Sequence, residues 1–246
     1  MLKPTDWKAV RKGLQKFLAL EKDFAERFKT AHSSRSKLKK GATTAVVHAE
    51  WFTGLYNELD PTFFMLGLRE GKPARQLKKD PGSNLGVVRY GYDAKSRLVH
   101  VEKCMAWDEY REHQPSRIDA TRFHIWEKNC LDIQTLFFDG NQPVAHIKSD
   151  NNWLEIKRYE FQGDKIVCVF TASKRIDVTD SKWAFGKYEI FEKRYGIYEI
   201  RYEVDSHKPG TSCMLRYHAP IPPQVKDKAR WKNARRMLRP KKQRNA

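Results

Sequence analysis

A chain of 246 residues, 40% hydrophobic and 12% aromatic, is long enough to bury a core, while 32% charged residues, a mean hydropathy of −0.76 and no long apolar run exclude a protein built of membrane-spanning helices. Lys and Arg number 48 against 30 Asp and Glu, a net +18 with His neutral, which points to a polyanionic partner. Cys104, Cys130, Cys168 and Cys213 lie far apart with no C-x-x-C pair, which fits buried free thiols in a reducing compartment and excludes a zinc ribbon or a disulfide framework.

The first predicted element is a helix capped by Thr5 or Asp6. Trp7, Val10, Leu14, Phe17, Phe24 and Phe28 recur at three- and four-residue steps, and Lys8, Arg11, Lys12 and Lys16 occupy the other face. The Ser-rich stretch from His32 ends it, and His32 to Gly41, with Arg35, Lys37, Lys39 and Lys40 around one apolar Leu38, reads as an exposed basic linker. A second helix is expected over Thr43 to Leu59, from Val47, Trp51, Leu55 and Leu59 at steps of four, with Pro61 stopping it. Thr62 to Leu68 reads as a first strand and Gly71 to Ser83 as a loop.

From Gly86 to His218 the pattern changes to period two, with Tyr, Val, Ile and Phe alternating with charge between Asp, Gly, Ser and Asn turns. It fits about nine or ten antiparallel strands in a meander. Arg89-Tyr90, Arg158-Tyr159 and Arg201-Tyr202 each precede a hairpin turn, and Asp139-Gly140 is the strongest turn signal. Near its end the run puts Tyr198, Ile200, Tyr202 and Val204 on one face and Glu199, Arg201 and Glu203 on the other. Such alternation describes a sheet wet on one side, so the N-terminal helices are expected to cover its apolar face. Asp108 to Arg117, polar and containing Pro115, reads as a long loop.

Ala219-Pro220-Ile221-Pro222-Pro223 ends the sheet, and Gln224 to Arg239 returns to helix formers among Lys and Arg. The fold class is therefore α+β. A large antiparallel β-meander is covered on one face by N-terminal helices and followed by a basic C-terminal helical arm. Its divisions are 1–42 (helix and linker), 43–218 (helix plus sheet) and 219–246 (Pro-rich stop and arm).

Charge is segregated along that plan. Residues 1–46 hold 12 Lys/Arg and 4 Asp/Glu, residues 87–218 hold 21 and 20, and residues 219–246 hold 10 and 1. Basic ends on a neutral body are the footprint of a nucleic-acid partner. The expected function is a non-enzymatic binding protein that holds nucleic acid or a ribonucleoprotein. Its phosphate contacts are Arg35, Lys37, Lys39, Lys40, Lys228, Arg230, Lys232, Arg235 and Arg236, with Trp231 available to stack, and the sheet is free to take a protein partner. No cofactor or metal is expected, and the default compartment is the cytoplasm.

Two other readings are carried forward. Leu154-Glu155-Ile156-Lys157, with Asp139 upstream across a hairpin, resembles the Asp…Glu-x-Lys pattern of the PD-(D/E)xK nucleases. The resemblance implies a divalent metal held by Asp139 and Glu155, with Lys157 meeting charge on phosphate. The same spacing arises wherever Glu and Lys pair across a charged sheet. The second alternative is an immunity or inhibitor protein whose basic ends engage an acidic protein.

Overall fold

The computed structural model describes residues 5–53, 59–62, 76–78, 87–192, 197–205 and 212–218. Helix α1 (Trp7–Leu18) starts at Asp6, whose side chain accepts from the Ala9 backbone N–H at 3.1 Å, and buries Val10, Leu14 and Phe17. The predicted single helix breaks at Ala19–Leu20, where no Gly or Pro announces it, and resumes as α2 (Glu21–Ala45).

Helix α2 runs through the predicted linker. The Ser33 and Ser34 hydroxyls donate back to the Thr30 and Ala31 carbonyls at 2.7 and 2.8 Å, so the Ser run satisfies itself inside the helix. Phe24, Ala31 and Ala42 form its buried seam. No helix among the described residues is long and apolar enough to cross a membrane.

Of the helix predicted over Thr43 to Leu59, Thr43 to Ala45 end α2, His48–Phe52 form strand β1 instead, and 54–58 lie outside the described residues. The remaining strands are β2 (Gln76–Leu77), β3 (Val88–Tyr92), β4 (Leu98–Lys103), β5 (Trp107–Gln114), β6 (Arg117–His124), β7 (Cys130–Asp139), β8 (Gln142–Asp150), β9 (Trp153–Gln162), β10 (Lys165–Arg175), β11 (Ala184–Glu192), β12 (Ile197–Val204) and β13 (Ser212–His218). Thr62 lies in a turn, and the rest of the predicted Thr62–Leu68 strand falls outside the described residues. So do most of the Gly71–Ser83 loop, which nevertheless contains β2, and the C-terminal arm.

All the strands form one antiparallel sheet in the order β13-β12-β11-β10-β9-β8-β7-β6-β5-β4-β3-β1-β2. The antiparallel meander is as expected, and the described residues of Gly86–His218 form eleven strands where nine or ten were expected. The Asp108–Arg117 stretch is the β5–β6 hairpin, with Pro115 at its turn. The Asp139-Gly140 turn forms with Gly140 at φ 58°.

Helices α1 and α2 lie across one face. Phe17, Phe24 and Leu14 pack with Tyr110, Phe123, Ile133, Ile147, Leu154, Ile156 and Phe170. The other face is also closed over its centre, where Leu59 packs with Ala120, Leu136, Tyr159, Val169 and Ile190. The expectation of a sheet wet on one side is corrected there, and so is the face assigned to β12. Tyr188, which stacks on Tyr202 at 4.3 Å, packs with that second cluster, so the apolar side of β11–β12 is turned away from the helices. The charged side meets α1 instead, through Thr5 to Glu203 and Arg11 to Asp205.

Candidate functional site

Two surfaces of the sheet carry chemistry, one outward from α2 and one on the far face. On α2, Phe24, Ala31 and Ala42 face the sheet. At 100° per residue, Lys22, Lys29, Ser33, Ser36 and Lys40 then fall within a sector of about 60° on the opposite side, and all five are exposed. Lys37 and Lys39 are exposed on the two flanks.

The stretch 27–49 contains six Lys/Arg and no Asp or Glu. Arg27 is spent on structure, donating to Asp119 at 2.9 Å and Thr135 at 3.1 Å. Arg35 is half-buried, its guanidinium 5.6 Å from the centre of the Phe123 ring. Lys39 stands near Asp108. Burial alone would raise that carboxyl, but His100, Tyr110 and Lys39 hold it below the ordinary carboxylate range. Among the described residues, no carboxylate lies within ion-pair distance of Lys22, Lys29, Lys37, Lys39 or Lys40.

Of the predicted contacts, the structure brings Arg35, Lys37, Lys39 and Lys40 onto one helix; Lys228, Arg230, Trp231, Lys232, Arg235 and Arg236 lie outside the described residues. Sequence reading missed Lys22 and Lys29, although the seven-residue step from Lys22 to Lys29 and the eleven-residue step from Lys29 to Lys40 were a readable helical signal.

Beneath the C-terminal half of α2, ligand atoms of His100, Glu102 and Asp108 lie within 4.8 Å of one another. His100 Nε2 is 3.6 Å from Asp108, and Arg89 stands 3.3 Å from His100 Nδ1 and 3.9 Å from Glu102. A guanidinium can only donate, so Nδ1 spends its lone pair on Arg89 and Nε2 carries the ring proton. The imidazole in this tautomer has no lone pair left for a metal, and Glu102 is paired with Arg89.

The far face carries a strip of buried polar groups across β5 to β9. Glu109 is fully enclosed between Arg111 and Arg122, each at 2.6 Å. Burial pushes its carboxyl up, and the two arginines more than reverse this, to about 2. Arg122 and Lys148 lie 3.7 and 3.6 Å from Asp132, which accepts from Gln134 at 2.7 Å. The Gln134 carbonyl in turn faces His146 Nε2 at 3.0 Å. The amide's orientation makes that ring nitrogen the donor, so Nδ1 is a buried lone pair with no hydrogen-bond partner among the described residues. Burial, aided by Lys157 and Lys148 and opposed by Asp60, pushes His146 down to about 4.

The strip ends at the Asp60 segment. Asp60 Oδ2 accepts from Lys157 at 2.7 Å, while Oδ1 accepts from the Thr62 N–H, the Thr62 hydroxyl and the Tyr159 hydroxyl at 2.8, 2.7 and 2.9 Å. Burial opposes the Asp60 charge, and Lys157 more than restores it, so the carboxyl is held far below its ordinary range. Glu155 lies 3.6 Å from Lys157.

Glu155 and Lys157 do share a face, but Asp139 does not join them. Asp139 pairs with Gln142 at the hairpin, and Glu155 pairs with Lys148, about 20 Å further along β8. Asp60 is the acid that stands beside Lys157 instead, and its oxygens are already committed to four donors, the Lys157 ammonium among them. Asp60 itself was unread in the sequence, although Asp-x-Thr with the Thr N–H on the Asp carboxylate is a recognisable turn pattern. Comparison of the chain with known protein families, with curated proteins and with solved structures finds no match.

Proposed function

We propose that the protein is a non-enzymatic nucleic-acid-binding protein whose phosphate contacts come from the outward side of α2 and from the basic 219–246 segment. The observation that carries the reading is the acid-free part of α2 from Arg27 to Ala45, with Lys29, Lys37, Lys39 and Lys40, and Lys22 before it, exposed and free of ion pairs among the described residues. A lysine whose charge is not met within the protein gains most from meeting a phosphate, because neutralisation releases a condensed counterion. Lys22 to Lys40 spans about 27 Å of helix axis, the length of about eight base pairs. The backbone of α2 is already helical and packed on the sheet, so little backbone ordering entropy is lost on binding. Free Cys104, Cys130 and Cys168 suit a reducing compartment such as the cytoplasm.

The test is the salt dependence of binding by the full chain, with Lys29, Lys37 and Lys40 each changed to Gln in one variant. The log–log salt slope should fall by about three, one for each lost phosphate contact. An unchanged affinity and slope would sink the reading.

A further inference from the structure

The β4–β5 and β6–β7 connections leave the sheet side by side, at the end towards which α2 sends Arg35 and Lys39. The Ile125 N–H donates to the Ala106 carbonyl at 3.1 Å, and the Trp126 indole N–H donates to the Met105 carbonyl at 3.2 Å, tying one hairpin to the other. Within the β6–β7 connection, His124 Nδ1 accepts from the Glu127 N–H at 3.1 Å, and the Asn129 amide donates to the Glu127 carboxylate at 3.1 Å. Trp126 is therefore braced, yet it is 64% exposed, beside Met105 at 44%.

Met105 sits at φ 57° and Lys128 at φ 58°, a left-handed conformation that costs a residue other than Gly and tends to persist where a site needs its shape. A large ring held still in solvent, with its only donor already used, offers a π-face and nothing else. The two connections and the nearby part of α2 also carry cations. Lys128 is exposed on the same turn and Lys103 precedes Met105. Arg35 lies over Phe123, near the end of β6 that leads into the Trp126 turn. The acid within the Trp126 connection is Glu127.

We propose that Trp126, braced on Met105, stacks an unpaired base, so that this interface takes single-stranded nucleic acid in preference to duplex. The proposal rests on the reading of α2 as the phosphate-contacting element. A base has a π-face whatever its identity, and its neighbouring phosphates would fall to Lys128 and Lys103 on one side and to α2 on the other. In a duplex the faces are already stacked, so the indole would gain nothing.

The experiment measures binding of the full chain to a labelled 20-residue oligothymidylate and to a 20-base-pair duplex. It compares the unaltered protein with Trp126→Ala, Trp126→Phe and the Lys29/Lys37/Lys40→Gln variant, with thermal midpoints recorded for each. Trp126→Ala should weaken oligothymidylate binding by about tenfold or more and leave duplex binding and the salt slope unchanged. Trp126→Phe, which keeps a ring but no indole N–H, should retain most of the affinity. Equal oligothymidylate binding by Trp126→Ala and the unaltered protein, or an equal loss on both probes, overturns the stacking proposal. Loss on both probes in the lysine variant, together with an unaffected Trp126→Ala, overturns stacking while leaving the α2 reading standing. A lysine variant that binds both probes normally removes the α2 reading, and the proposal falls with it.

Discussion

Enclosed between β7 and β9, His146 has its Nε2 proton committed to Gln134 and its ring out of water. Its folded-state pKa of about 4 lies below the ordinary 6.5 of an unfolded histidine. Between those values the unfolded chain binds a proton that the folded chain refuses, so stability is full above pH 6.5 and falls as pH drops towards 4. The loss expected from this one side chain is about 3 kcal/mol. Glu109 takes over lower down. Its carboxyl is held near 2 against 4.5, so its contribution is present above pH 4.5 and drains away as pH falls through 2. Urea midpoints measured from pH 8 to pH 4 should therefore slope downward, and His146→Gln should be flatter than the unaltered protein across the 6.5-to-4 window. Parallel slopes for the two proteins would mean that His146 is not the group that resists protonation.

At the scale of elements, two glycines test how tightly the layers approach. A Cβ on Gly91 in β3 would lie 2.7 Å from Val46 Cγ2, and Val46 is pinned where α2 turns into β1, next to the Val47 N–H that donates to the Tyr92 carbonyl. Val is stiff at χ1, so the backbone must give, and Gly91→Ala should cost about 1 to 3 kcal/mol. A Cβ on Gly13 in α1 would meet only the tip of Arg158, at 2.6 Å. That tip can swing away, and the helix gains about 1 kcal/mol of propensity, so Gly13→Ala should be neutral or stabilising in chemical denaturation. Equal losses at the two positions would refute the distinction.

The meander was legible because alternation and Asp-Gly turns are local. The errors occurred where local signals were degenerate. Val47 and Trp51, four apart, share a face of a strand as well as of a helix, so their spacing could not separate the two for β1. Asp108, Glu109 and Arg111 looked like loop because burial of charge depends on partners, here Arg122 and His100, that the sequence does not place. The basic site on α2 was half legible. Arg35 to Lys40 stood out as a cluster, but the Ser run hid the helix that lines them up with Lys22 and Lys29. Asp60 reaches Lys157 across 97 positions of chain, which no spacing argument reaches.

For the molecule as a whole, an open sheet with two edges should not be equally stable throughout. The middle strands β6 to β10 are closed on both faces, by α1 and α2 on one side and by the Leu59 cluster and the polar strip on the other. Strand β2 is two residues long, and among the described residues β13 has a neighbour on one side alone. Local opening is cheapest where few buried contacts must be broken, and an edge strand gives up only one ladder. Native-state hydrogen exchange should therefore be slowest for amides of β6 to β10, with β1, β2 and β13 exchanging well before them. α1 should exchange ahead of the strands beneath it, because beyond Val10, Leu14 and Phe17 it is held at its outer end by the half-exposed Arg11–Asp205 pair. Added single-stranded oligonucleotide should slow α2 and the Trp126 connection and leave β11 and β12 as they were, since those two strands lie beyond α1 from both. A ligand effect spread evenly over all thirteen strands would instead mean that the sheet opens as one unit and that the proposed interface is only one part of what the nucleic acid holds.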